Sequence, residues 1–220
     1  VVLLGGEPGI GKSRVTRAVS ERIASDPHTL LQYQCSTYYT NSALYPFINQ
    51  LSLAAGLDFQ DLAAAKANKL SAYLATLESP KSEMGSLFAR LLSIADSEHY
   101  GPLSYSPEQL KAKTLEALTH FIAAKCAAQP VLMIFEDAHW IDPTSAELLG
   151  LIIDRIQSLP VLLIITHRPE FSSPWSGYPN ITSLTLNQLG RRQVRLMVDR
   201  VACKRPLSPE LVDIILAKTG

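Results

Sequence analysis

The sequence has no surplus of charge of either sign: Lys and Arg number 20, Asp and Glu number 20, and the net charge is zero with neutral histidine. A domain dedicated to DNA or RNA usually carries a basic excess that neutralises phosphates, so no direct nucleic-acid binding is expected. Cysteines are few. Cys35, Cys126 and Cys203 are odd in number, far apart, and form no CxxC pair for a metal. That pattern reads as reduced thiols in a cytoplasmic protein. No apolar run reaches the roughly 18 residues of a membrane-spanning helix, and no signal peptide precedes the first strand. No membrane contact is therefore expected. Internal repeats and low-complexity tracts are absent as well. The first residues already read as a strand and the last as a helix, so the chain is expected to be a piece of a longer polypeptide.

What is present suffices for a core. Of 220 residues, 47% are hydrophobic, which suits one large domain or one domain with a small appendage. Val1 to Leu4 form a short apolar run feeding a glycine turn, and residues 13–24 carry apolar side chains at helical spacing. Residues 29–35 read as a second strand. Residues 44–57, 60–77, 83–95 and 107–129 read as helices, the last with Ser106 as cap and Pro107 at its first position. The unbroken apolar runs 131–135 and 161–165 suit strands buried on both faces of a parallel sheet. Asp142-Pro143 starts a helix to about residue 158, residues 181–186 alternate as a fifth strand, and helices are expected at 191–202 and 209–218. Strands alternating with helices mean a three-layer α/β sandwich.

The first turn carries the chemistry. Gly6-Glu7-Pro8-Gly9-Ile10-Gly11-Lys12-Ser13 matches G-x-x-x-x-G-K-[ST], with Arg14 directly after it. Glycines let the backbone curl until successive N–H groups point at phosphate oxygens. The helix beginning near Lys12 aims its positive end at the same anion. Lys12 is suited to the β- and γ-phosphates, and the Ser13 hydroxyl to Mg²⁺. A plain connecting turn has no need of Lys-Ser after its last glycine.

The third strand ends in Glu136-Asp137, at the edge where ligands sit in open α/β sheets. The pair looks like a Walker B motif. Glu136 is assigned to the Mg²⁺ shell through water and Asp137 to polarising the attacking water. The two roles are interchangeable on the sequence, because the usual order is Asp then Glu. Two acids capping the next helix are the bland alternative.

The fourth strand ends in Thr166-His167-Arg168-Pro169. Thr166 or Arg168 at such a strand tip suits sensing of the γ-phosphate, against a plain surface arginine before a turn. His139 reads as a structural histidine that could reach the metal shell through water. Asp142 is explained as a helix N-cap. Arg191, Arg192, Arg195, Arg200, Lys204 and Arg205 form a basic zone that reads as a solvated helix face.

The stretches GGEPGIGKSR, VLMIFEDAHWIDPTS, LPVLLIITHRPEF and ITSLTLNQLGRR, in this order, resemble the STAND branch of AAA+-like P-loop ATPases. More narrowly, with CSTYYTNSALYPFI and SYSPEQLKAKTLEAL, they resemble the ATPase module of bacterial proteins that fuse a class III adenylate/guanylate cyclase domain to tetratricopeptide-type repeats. Related modules occur in ATP-dependent transcription regulators. The resemblance implies a P-loop fold of the ASCE type, a five-stranded parallel sheet in the order 5-1-4-3-2, and a helical insertion at about 44–129 between strands 2 and 3. It implies a core over 1–205 and the start of a C-terminal helical segment at 206–220. It implies ATP or ADP with Mg²⁺, a cyclase or other output domain and a repeat domain as attached partners, and nucleotide-dependent self-association. The Gly-Arg-Glu segment that helps hold adenine in that family does not occur in this sequence, nor do cyclase catalytic residues. Competing readings are a binding-only switch, motivated by the inverted acids, a DNA-binding initiator, and a small-molecule kinase.

Overall fold

The computed structural model describes residues 1–77, 83–95 and 100–201, with Leu211 and Ile214. Apart from Leu211 and Ile214, the expected helix at 209–218 and the segment 206–220 lie outside the described residues, as do Cys203, Lys204 and Arg205. Strands β1 (Val2–Gly6), β2 (Thr29–Gln34), β3 (Val131–Glu136), β4 (Val161–His167) and β5 (Thr182–Leu186) form one sheet in the order β2-β3-β4-β1-β5. Every pairing is parallel. This is the expected order 5-1-4-3-2 read from the other edge.

The period of two along each strand sorts the core. Leu3, Leu31, Met133, Phe135, Leu163 and Ile165 enter the large core on one face. Leu4, Leu132, Ile134 and Ile164 enter a smaller one on the other. Helix α1 (Lys12–Arg22) covers the smaller face with Val19, and Ile23 follows just past its end. That cover is partial. Leu162 and Leu30 are 42% and 39% exposed, so the strand at 161–165 is doubly buried only over its second half.

The large face carries the insertion α2 (Tyr45–Ala54), α3 (Ala63–Leu74), α4 (Met84–Leu91) and α5 (Pro107–Ala128), together with α6 (Pro143–Arg155). Helix α5 begins in a capping box between Ser106 and Gln109. Three insertion helices are shorter than their apolar periodicity predicts, for local reasons. Leu44 adopts φ 61 and caps α2 instead of joining it, and Gly56 at φ 65 follows its end. Asp58 and Asp61 fold a turn ahead of α3, with the Asp58 amide donating to Asp61 Oδ2 at 2.8 Å. Ser93 at φ 54 ends the run after α4. Helix α7 (Arg191–Val201) leaves Arg192, Arg195 and Arg200 exposed, as a solvated face.

Tyr33, Phe47 and Phe135 pack ring against ring beneath the sheet edge, at centroid separations of 4.8, 5.6 and 5.8 Å. Cys35 and Cys126 are buried free thiols. Burial pushes them up to about 12 and about 11. No described helix is long and apolar enough to cross a membrane.

Candidate functional site

The loop after β1 is shaped by backbone geometry. Gly9 and Gly11 take φ 78 and φ 107, where a Cβ would be strained. Gly11 is also the N-cap of α1, and no side chain caps that helix start. Its first N–H groups are therefore offered to whatever enters. Lys12 is buried and curls back on its own loop. Its Nζ donates to Gly6 O at 2.6 Å and Glu7 O at 2.9 Å. Ser13 is exposed at the helix mouth.

Sheet order brings the other candidates near. Strand β4 lies between β1 and β3, with Thr166 paired to Leu4 and buried at 1% exposure. Its Oγ1 accepts from the Asp137 amide at 3.0 Å. Asp137 stands just past β3 at φ 57, ψ 43, a left-handed conformation that Asp tolerates. Its Oδ2 accepts from Gln34 Nε2 at 2.9 Å. Glu136 turns toward α1 instead. Its Oε1 lies 3.2 Å from the Thr16 hydroxyl, which can alternatively donate to Ser13 O at 3.0 Å. The two acids thus point to different neighbours, Glu136 to the helix turn that carries Ser13 and Asp137 to the tips of β2 and β4.

A cleft of about 310 Å³ opens between these groups, lined by Pro8, Gly9, Gly11, Lys12, Ser13, Arg14, Asp137 and Arg168. That volume is at the small end of the range of about 300–1,000 Å³ usual for ligand sites. Glu136 and Thr166 do not line it. The Arg14 guanidinium turns along the outside of α1 to Glu21 at 3.2 Å. Arg168 is loosely held, 3.9 Å from Glu170 and 5.7 Å above the Trp140 ring.

Asp142 caps α6 as expected, with Oδ1 accepting from Thr144 and Ser145 amides at 3.1 and 2.9 Å. It also accepts from the Leu44 amide at 3.2 Å, which ties the insertion to the turn after the acids. His139 follows Asp137 in a short 3-10 turn, Ala138–Trp140. Burial lowers its pKa, the Asp137 charge raises it, and the Arg168 charge lowers it further. Gln34 and Thr16 were missed by sequence reasoning. No local motif marks them; only the register of β2 on β3, which sets Gln34 opposite Glu136, and the packing of α1 over β3 bring them to the acids.

Among the described residues no group of three or more His, Cys, Asp and Glu could hold a metal by itself. The donors near the cleft are a hydroxyl and two carboxylates, hard oxygens that suit Mg²⁺ shared with phosphate. The family whose description is "AAA ATPase domain" matches residues 1–165. An uncharacterised protein of Rhizobium meliloti (strain 1021) is 33% identical over 199 residues, 90% of this chain. The chain spans 19% of that relative's length. Solved structures with a similar course include Cdc6p from Pyrobaculum aerophilum, 13% identical over 92% of this chain and 43% of its own, at a TM-score of 0.44. A second is Drosophila ORC bound to DNA, 14% identical over 90% of this chain and 40% of its own, at 0.41.

Proposed function

Because this chain belongs to the AAA ATPase domain family, we propose that it is the nucleotide-driven regulatory module of a larger multidomain protein. It binds Mg-ATP at the loop after β1, hydrolyses it slowly, and passes its nucleotide state to attached domains. A bacterial cyclase fusion with a repeat domain is the parent we favour, on the sequence resemblance. The observation that carries the reading is the cleft itself: a left-handed glycine loop, an uncapped helix start and an inward lysine face Asp137 and Arg168 across about 310 Å³.

Each residue then has a task. Lys12 exchanges two carbonyl partners for phosphate oxygens, a trade of dipoles for full charges. Ser13, with Glu136 beside its helix turn, holds the metal. Mg²⁺, when bound, draws charge from the phosphate oxygens. Asp137 orients the attacking water and takes up its proton. Thr166 fixes the Asp137 backbone, and Gln34 restrains its carboxylate until nucleotide is in place. Arg168 meets the terminal phosphate, which makes ATP and ADP different ligands for the β4 tip and biases two conformations.

Single-turnover hydrolysis separates this reading from a binding-only switch. Asp137→Ala is expected to abolish product formation while keeping ATP bound, and Glu136→Ala to weaken Mg²⁺ dependence first. A wild type that binds ATP and forms no ADP over hours favours the switch.

A further inference from the structure

Both ring nitrogens of His139 are sealed from solvent and have no hydrogen-bond partner among the described residues. A neutral imidazole carries one donor and one acceptor in either tautomer. Leaving both unmade inside a protein is costly, and a native fold that tolerates this invites an explanation. Packing supplies part of it. The ring lies against Trp140, with centroids 5.0 Å apart. Trp140 also carries Arg168, whose guanidinium carbon stands 5.7 Å from the indole centroid. Arg168 has little else to hold it, since its nearest carboxylate oxygen, on Glu170, is 3.9 Å away. One indole therefore has a partly buried imidazole, its two nitrogens enclosed and without partners among the described residues, and a loosely held cation as neighbours, and that cation lines the cleft together with Lys12 and Ser13.

We propose that His139 is the positioning residue for Arg168: when a terminal phosphate draws the guanidinium off the indole, the acceptor nitrogen of His139 takes one of its N–H groups. A guanidinium offers five N–H donors in a rigid fork. Two meet the phosphate, and a third, at the rear, meets the imidazole. The unmade bond of the resting state becomes a made bond only in the triphosphate state, so the cost carried by the empty fold favours ATP over ADP. This inference rests on the reading that the cleft takes a nucleoside triphosphate whose end meets Arg168.

The test is a double-mutant cycle read as binding, with the whole chain titrated with Mg-ATPγS and with Mg-ADP. Arg168→Ala is expected to lower the ATPγS-over-ADP preference by about tenfold. His139→Phe, which keeps the ring volume without an acceptor, is expected to lose most of that preference. The double variant is expected to lose no more than Arg168→Ala alone, the sign of a shared interaction. His139→Gln retains an acceptor and recovers part of the preference, and it keeps the test alive should the Phe variant fold poorly. A second readout needs no turnover. In a Trp175→Phe background, Trp140 fluorescence shifts with ATPγS and not with ADP as the guanidinium leaves the ring, and His139→Phe shrinks the shift. Independent, additive losses in the cycle overturn this proposal alone when ADP still binds and still needs Lys12. Absence of nucleotide binding by the wild type overturns the cleft reading and this proposal together.

Discussion

Replacing Thr166 with valine removes one acceptor and almost no volume. The Thr166 hydroxyl takes the Asp137 amide at 3.0 Å from a site that is 1% exposed. Without it that N–H has no other partner among the described residues, at a residue already held at φ 57. An unsatisfied donor costs about 1–3 kcal/mol when fully buried, an upper bound for this part-buried amide. The methyl that replaces the hydroxyl returns up to about 0.8 kcal/mol. The net loss of up to about 2 kcal/mol corresponds to a melting point lower by up to roughly 8 °C for a chain of this size. Asp137 also loses its backbone anchor, so turnover should fall more than ATP affinity does. Thr166→Ser keeps the acceptor and should stay close to wild type in both. Differential scanning calorimetry with a coupled phosphate-release assay reads the two effects. A Thr166→Val protein with wild-type melting and wild-type turnover would refute the claim that this bond sets the acid's position.

Gln34→Leu frees the Asp137 carboxylate and should raise basal turnover by about fivefold, the equivalent of about 1 kcal/mol for one exposed charge-assisted bond; a fall in rate contradicts the restraining role. Gly11→Ala puts a Cβ at φ 107 and should cost about 1–2 kcal/mol of stability, together with most nucleotide affinity, by melting and titration. Cys35 and Cys126 should resist iodoacetamide at pH 8 in the folded protein and react on unfolding, followed by mass spectrometry. Both thiols hold their protons up to about 12 and about 11 in the fold, against about 8.5 when unfolded. The unfolded state therefore binds fewer protons above pH 8.5, and stability present below that pH is lost as pH rises through the folded values.

The P-loop and the acidic strand were legible because their chemistry is local. A glycine turn, a lysine and two carboxylates after an apolar run identify themselves without knowledge of what lies beside them. Element types followed from periodicity for the same reason. Sheet order was not legible from pattern and came only with the family resemblance, since no run of residues records which strand is its neighbour. Gln34 illustrates the limit. It reads as one polar residue at a strand end, and acquires a role only when the parallel register sets it against Glu136, 102 positions along the chain. Thr16 and Trp140 are the same case, matched to Glu136 and Arg168 across the fold. Helix ends were misjudged where single left-handed residues, Leu44 and Ser93, stopped runs whose apolar spacing continued.

Isothermal titration of the chain with Mg-ATP, with and without Lys12→Ala, tests the account at its root. Wild type should bind with one site, and the alanine variant at least about tenfold more weakly, a loss of about 1.4 kcal/mol or more. Equal affinity of two well-folded proteins would mean that the amide cup after β1 is not where the polyphosphate sits.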